Sequence, residues 1–256
     1  MTHLDENIRN DFRIGDTLSK SFDVLLRKFF PLLILVLIFQ IPVIIWMTIS
    51  GMYSTSLENP ELLFEDYGYQ ILSMLVPSII LSLAASAAVT YGVFLEITGR
   101  SINIGECLSK SISVLIPVVL AGMISYIVML VGVIFLIVPG IIVILHLFVV
   151  IPVVVVEQPG VFGSLSRSSE LTKGNRWAIL GLFIIMIVMG IGLSFLSQEI
   201  SLLFIGMGMT FVGILIDSIV QAVSTTIFLI IGAVTYYNLR NSKEGVSSNE
   251  IASVFD

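Results

Sequence analysis

His3, His146 and Cys107 are the only side chains in this sequence of the types that most readily bind a transition metal or do thiol chemistry. They stand far apart with no ligand cluster near them, so neither a metal site nor an internal disulfide is expected. No serine or cysteine nucleophile has an identifiable base, and no phosphate-cradling glycine loop occurs, so catalysis is disfavoured and no cofactor is expected. Two other groups remain. Gln40, Glu96, Arg100, His146, Asp217 and Gln221 are polar side chains in or beside long apolar runs, where such groups are costly and often mark ligand or ion pathways. Lys20, Lys110, Arg167, Lys173, Arg176 and Trp177 lie between the runs, where bases suit anionic headgroups or a protein partner.

The runs that position these residues define the chain. Of 256 residues, 57% are hydrophobic and only 12% charged, and the mean hydropathy is +1.07. A soluble domain carries about 25% charged residues, so lipid must replace water over most of the surface. This sets aside disorder and nucleic-acid binding. The net charge is −6, yet all 12 Lys and Arg fall in four short zones: Arg9 to Lys28, Arg100 to Lys110, Arg167 to Arg176, and Arg240 with Lys243. Between Ser111 and Val156 no residue is charged, a length that as helix crosses a bilayer core of about 30 Å twice.

Six spans are expected, at about 29–50, 70–95, 113–133, 139–156, 177–197 and 218–239, with the turn of the middle hairpin between Gly132 and Gly140. An all-α polytopic bundle follows, with an N-terminal segment 1–28, a transmembrane domain 29–239 and a tail 240–256. Bases near span ends stay in the cytoplasm, which places both termini inside. The outer connections hold Glu58, Glu61, Glu65, Asp66, Glu199 and Asp217 and no base. Residues 200–216 read as a partial, re-entrant or interfacial segment, or as an extension of the last helix. The first run has no convincing cleavage site and is expected to be retained.

The basic zones resemble one another. Ile14 to Ser21 matches Ile104 to Ser111 at six of eight positions, with Asp16 against Glu106 at a seventh, and Val161 to Ser168 is a weaker third copy. Three units are expected, each a short cytoplasmic helix followed by a hairpin. Ile14, Leu18, Phe22, Leu25 and Phe29 recur at helical spacing, the pattern of an amphipathic helix in the headgroup plane.

The polar residues admit structural readings beside functional ones. Glu96 with Arg100 four residues on reads as an interfacial pair. Asp217, one turn before Gln221, suits outer-surface anchoring or an ion site. His146 suits a neutral bundle histidine bridged to a hydroxyl such as Tyr126, or a proton relay. Gln40 is a candidate buried amide. Pro42, Pro77, Pro117 and Pro152 are expected to kink or interrupt their helices. Ala84 with Ala88, and Ser82 with Ser86, allow close helix approach. Positive-inside bias by itself accounts for Arg167, Lys173 and Arg176, and Trp177 suits an interfacial anchor.

Pro139-Gly140, Pro152, Glu157 and the stretch Arg167-Ser168-Ser169-Glu170-Leu171-Thr172-Lys173-Gly174-Asn175-Arg176-Trp177 resemble a bacterial signature. It is that of the membrane domain found beside glycerophosphoryl diester phosphodiesterases and of the stand-alone YciC-like proteins. Leu18-Ser19-Lys20-Ser21-Phe22 and Arg27-Lys28-Phe29-Phe30-Pro31 are similar to the opening of those sequences. The resemblance implies a six-span bacterial inner-membrane protein, and the soluble phosphodiesterase barrel has no counterpart here. The leading expectation is a non-catalytic protein of membrane or lipid homeostasis, holding anionic phospholipid at a basic cytoplasmic rim or scaffolding a membrane or cytoplasmic partner. A small permease or channel-like transporter is the alternative, and a membrane subunit of a separately encoded lipid-active enzyme is a third.

Overall fold

In the computed structural model the described residues are 12–50, 63–135 and 137–245, and they are helical with no strand. In chain order the elements are α1 (Ile14–Ser50), α2 (Leu63–Ile97), α3 (Ile104–Ser113), α4 (Leu115–Phe135) and α5 (Ile137–His146). They continue with α6 (Val150–Val156), α7 (Val161–Thr172), α8 (Arg176–Gly206) and α9 (Thr210–Glu244). Six stretches are long and apolar enough to cross a membrane: α1, α2, α4, α5 with α6, α8 and α9. Arg9, His3, Glu58 and Glu61 lie outside the described residues, as do residues 246–256 of the tail.

Helix breaks follow from local chemistry. The first long helix leaves helical geometry at Lys28 (φ −129°, ψ 30°), and α3 ends at Val114 (φ −103°, ψ 8°). Each lies three residues before a proline, Pro31 and Pro117. A proline lacks the N–H that would bond the carbonyl four residues back and crowds it, so the helix yields just there. The third short helix, α7, instead stops before Gly174, whose φ of +91° suits glycine. Pro117 thus interrupts its helix as expected, and the break at Leu147–Val149 likewise lies just before Pro152; the expected effect of Pro42 and Pro77 is corrected. No residue beside Pro42 or Pro77 leaves helical geometry, while Pro117 and Pro152 sit in the first turns of α4 and α6, where the missing donor has no helical partner to lose.

Residues 200–216 are divided between two helices. The fifth span runs on to Gly206, Met207–Met209 turn the chain with Gly208 at φ +78°, and the last helix starts at Thr210. The segment is therefore an extension of both helices and not a further crossing. With 31 and 35 residues they measure about 46 and 52 Å, longer than a hydrocarbon core of about 30 Å. Close contact at the tip depends on Gly213, where a Cβ would meet the Ser201 carbonyl at 2.9 Å.

The three returning spans form the middle of the bundle. In their most apolar windows 28% (α2), 44% (α5 with α6) and 33% (α9) of residues are buried, against 17%, 17% and 11% in the outgoing α1, α4 and α8. The returning helices present small or β-branched faces: Ala84, Ala85, Ala87 and Ala88 in α2, Val153 to Val156 in α6, and Ala222, Ala233 and Val234 in α9. In lipid, association depends on close packing, which small side chains permit. Ser82, by contrast, is exposed. The outgoing helices carry stripes of exposed Ile and Leu at helical spacing, such as Ile34, Ile38, Ile41 and Ile45. In water such stripes would promote association; hydrocarbon solvates them.

Candidate functional site

The polar side chains sort into two sites, one at the end of the bundle that carries the bases and one toward the opposite end. At the basic end, the Arg167 guanidinium reaches Glu157 at 2.8 Å, Glu170 at 3.5 Å and also Glu244. Arg240 lies 3.0 Å from Glu244 and 3.9 Å from Glu157. The Tyr236 hydroxyl donates to Glu157 at 2.8 Å, and the Lys243 ammonium donates to the Glu170 carbonyl at 2.8 Å. These contacts clamp the α6–α7 connection and α7 to the end of α9. Burial by itself would lower the Arg167 pKa, but hydrogen bonds to Glu244 and Glu157 outweigh it and raise it. Arg167 is therefore engaged within the protein.

Other bases are engaged too. The Lys20 ammonium sits 3.7 Å from the centre of the Tyr237 ring, and the Lys110 ammonium 6.0 Å from that of Tyr91, both within range of cation–π attraction. Burial lowers the Lys110 pKa. The expected Glu96–Arg100 pair does not form. Since α2 ends at Ile97, Arg100 is not on the next turn; Glu96 meets Lys28 at 3.5 Å and Arg100 meets Glu106 at 3.6 Å. Glu106 also accepts from the Tyr91 hydroxyl at 2.6 Å. Lys173, Arg176 and Trp177 remain at the start of α8. Lys173 is exposed, the Arg176 Nε is buried without a partner among the described residues, and Trp177 is 85% exposed.

His146 occupies the last position of α5, just before the chain leaves helical form. Its carbonyl accepts from the buried Ser168 hydroxyl at 2.9 Å, which satisfies a backbone group that the break would otherwise orphan. Tyr126 and Ser125 line a separate recess of about 230 Å³ between α2, α4 and the α5–α6 break.

Toward the opposite end, three of the six intramembrane candidates come together. Gln40 of α1 and Asp217 and Gln221 of α9 line one cavity of about 310 Å³, with Ser78 and Ser82 of α2 opposite and Thr225 below. Gln40 Nε2 donates to Thr225 Oγ1 at 3.4 Å, and Ser197 Oγ of α8 donates to Asp217 Oδ1 at 2.8 Å. The remaining wall is apolar and includes Phe39, Val43, Leu81 and Ile214. Counting back from Arg240, Asp217 lies about 35 Å along α9, near the far boundary of a hydrocarbon core. A few convergent polar groups on an apolar concave wall are the ordinary make-up of a small-molecule site.

Ser78, Ser197 and Thr225 join this site without a signal in the sequence, because serine and threonine commonly bond their own helix, and Ser82, expected to serve helix packing, lines the cavity instead. Glu157, Tyr236 and Glu244 were likewise missed at the basic end; the clustering of acids in basic loops was the one available signal.

Comparison with curated proteins and with solved structures gives no match. The profile of a family described as a domain of unknown function, DUF7847, matches residues 59–238. The matched stretch takes in most of α9 and every described helix between α1 and α9, and so includes two of the three walls of the larger cavity. The chain belongs to the DUF7847 family.

Proposed function

We propose that this is a non-catalytic multi-pass membrane protein of the permease class, which holds a small amphiphile between α1, α2 and α9. The observation that carries the reading is the convergence of Gln40, Asp217 and Gln221 on one cavity. The basic rim, by contrast, mostly serves to hold the bundle together. Within this reading the basic end is cytoplasmic, by the positive-inside rule, and the membrane is the bacterial inner membrane. The latter rests on the likeness to YciC-like proteins, and a role in lipid homeostasis rests there too.

We also read the chain as three repeated units. In support, equivalent positions are buried in each copy: Thr17, Ser21 and Val24; Cys107, Ser111 and Val114; Ser164, Ser168 and Leu171. A second reading, anionic-lipid contact or a protein partner at the start of α8, is favoured by the unpartnered Arg176 Nε beside exposed Trp177.

The test is photolabelling of the full chain in nanodiscs with 3-azioctanol, a neutral photoreactive alcohol. Label is expected on the facing residues of α1, α2 and α9, and Ser82→Trp should remove it by filling the cavity. Label spread over the lipid-facing stripes and unaffected by Ser82→Trp refutes the site.

A further inference from the structure

We propose that the cavity selects a small amphipathic organic cation, an ammonium group carried on an apolar body, and that Asp217 is its counter-charge. The inference rests on the cavity being a binding site, as proposed above, and adds the chemical class of its occupant.

Asp217 is the only ionisable side chain among the described residues that line the cavity. One carboxylate oxygen accepts from Ser197, and no salt bridge to Asp217 occurs among the described residues. A carboxylate held on an apolar wall without a cation is costly there, and a ligand that brings the positive charge relieves that cost. An ion pair formed in a partly buried recess is also less screened than one between exposed groups.

The surroundings favour the same sign. Between the first and second apolar runs the sequence carries Glu58, Glu61, Glu65 and Asp66 and no base, and Glu199 of α8 lies two positions past Ser197, an acidic balance that favours cations over anions. Anions are disfavoured twice over, since the wall offers them no positive partner either.

Shape and lining argue for an organic cation over a bare metal ion. A hard divalent cation needs about six or more oxygen ligands in a tight shell, whereas this wall supplies a single carboxylate with scattered amides and hydroxyls. The cavity, at about 310 Å³, lies at the small end of the range of about 300–1,000 Å³ for small-molecule pockets. Phe39, Val43, Leu81 and Ile214 suit a hydrocarbon body. Because Gln40 uses its N–H₂ toward Thr225, its carbonyl oxygen remains available as an acceptor. The smaller recess around Tyr126 has no ionisable acid among its lining residues and is expected to show no preference for charge.

The experiment is competition against 3-azioctanol labelling of the full chain in phosphatidylcholine nanodiscs. The competitors are benzyltrimethylammonium, its neutral isostere neopentylbenzene, and benzenesulfonate. Benzyltrimethylammonium is expected to be at least tenfold more potent than neopentylbenzene, with benzenesulfonate the weakest. Asp217→Asn should erase at least that tenfold advantage, a change of about 1.4 kcal/mol, and leave neopentylbenzene unaltered; Asp217→Glu should retain the preference. A monodisperse size-exclusion profile for each variant shows that folding is preserved. Equal potency of cation and isostere in the wild type, or a preference that survives in Asp217→Asn, overturns the cation assignment while the cavity stands as a site. Absence of cavity labelling in the wild type overturns the site and this inference together.

Discussion

Replacing Arg167 by Met keeps most of the aliphatic stem and removes the guanidinium from a network in which Arg167, Arg240, Glu157 and Glu244 balance to zero charge. Their side chains are 22%, 14%, 16% and 28% exposed, so the network is neither a surface pair nor a dry one. Exposed pairs contribute about 0–1 kcal/mol, and orphaning a buried partner costs about 3–5 kcal/mol. A partly buried network falls between, at about 2 kcal/mol. For a chain of this size that lowers the melting temperature by about 4–8 °C. The measurement is a thermal melt of purified protein in nanodiscs, followed by tryptophan fluorescence. Adding Glu157→Gln restores neutrality around the remaining Arg240–Glu244 pair, and the double variant should recover about 1 kcal/mol of the loss. Since the network is largely shielded, the penalty should change little between low and moderate salt. If Arg167→Met melts with the wild type, or if the two substitutions simply add, the clamp between α7 and α9 does not contribute as argued.

Three further perturbations probe the packing. Ser168→Ala removes the donor to the His146 carbonyl at the break in the fourth span, and a loss of about 1–3 kcal/mol is expected; an unchanged melting temperature would show that this hydrogen bond contributes nothing. Gly213→Ala drives a methyl group toward the Ser201 backbone, 2.9 Å from its ideal position, and should cost about 1–3 kcal/mol by prising α8 from α9, read as an earlier melt and a longer spin-label distance across the tip. Cys107 is buried, and desolvation, reinforced by the Glu106 charge, pushes its thiol up to about 11. It should therefore resist maleimide at pH 8 until the protein is unfolded. Because the folded value is the raised one, the neutral thiol's contribution to stability is complete below the ordinary thiol pKa and is lost as pH rises toward about 11; rapid alkylation of the native protein would contradict this.

Much of this architecture is legible in the chain. Each of the six apolar runs overlaps one of the six membrane-length stretches, and Gly132 and Gly140 lie on either side of the middle turn, where a Cβ on Gly132 would meet the Gly140 Cα at 3.0 Å. The breaks at Lys28 and Val114 follow from Pro31 and Pro117 through the carbonyl four residues before each proline; Pro117 is among the prolines expected to interrupt a helix, and Pro31 is not. The Glu96–Arg100 pairing failed because it assumed a helix that continues past Ile97. The basic rim looked free because bases are visible in sequence while their partners are not: Arg167 meets Glu244 77 residues away, and Lys20 meets a ring on the last helix.

Gln40, Asp217 and Gln221 stand out in sequence for the same reason that the spans do, since the cost of a polar group in hydrocarbon belongs to the residue itself. Preference for lipid or water is likewise a local property, so the number of crossings and the gathering of bases at alternate loops can be read from the chain. Which charge meets which, and which amide shares a cavity with which acid, depends on contacts between distant segments. Gln40 reaches Thr225 across 185 positions, and only the packing of α1 and α2 against α9 turns three scattered polar residues into one site.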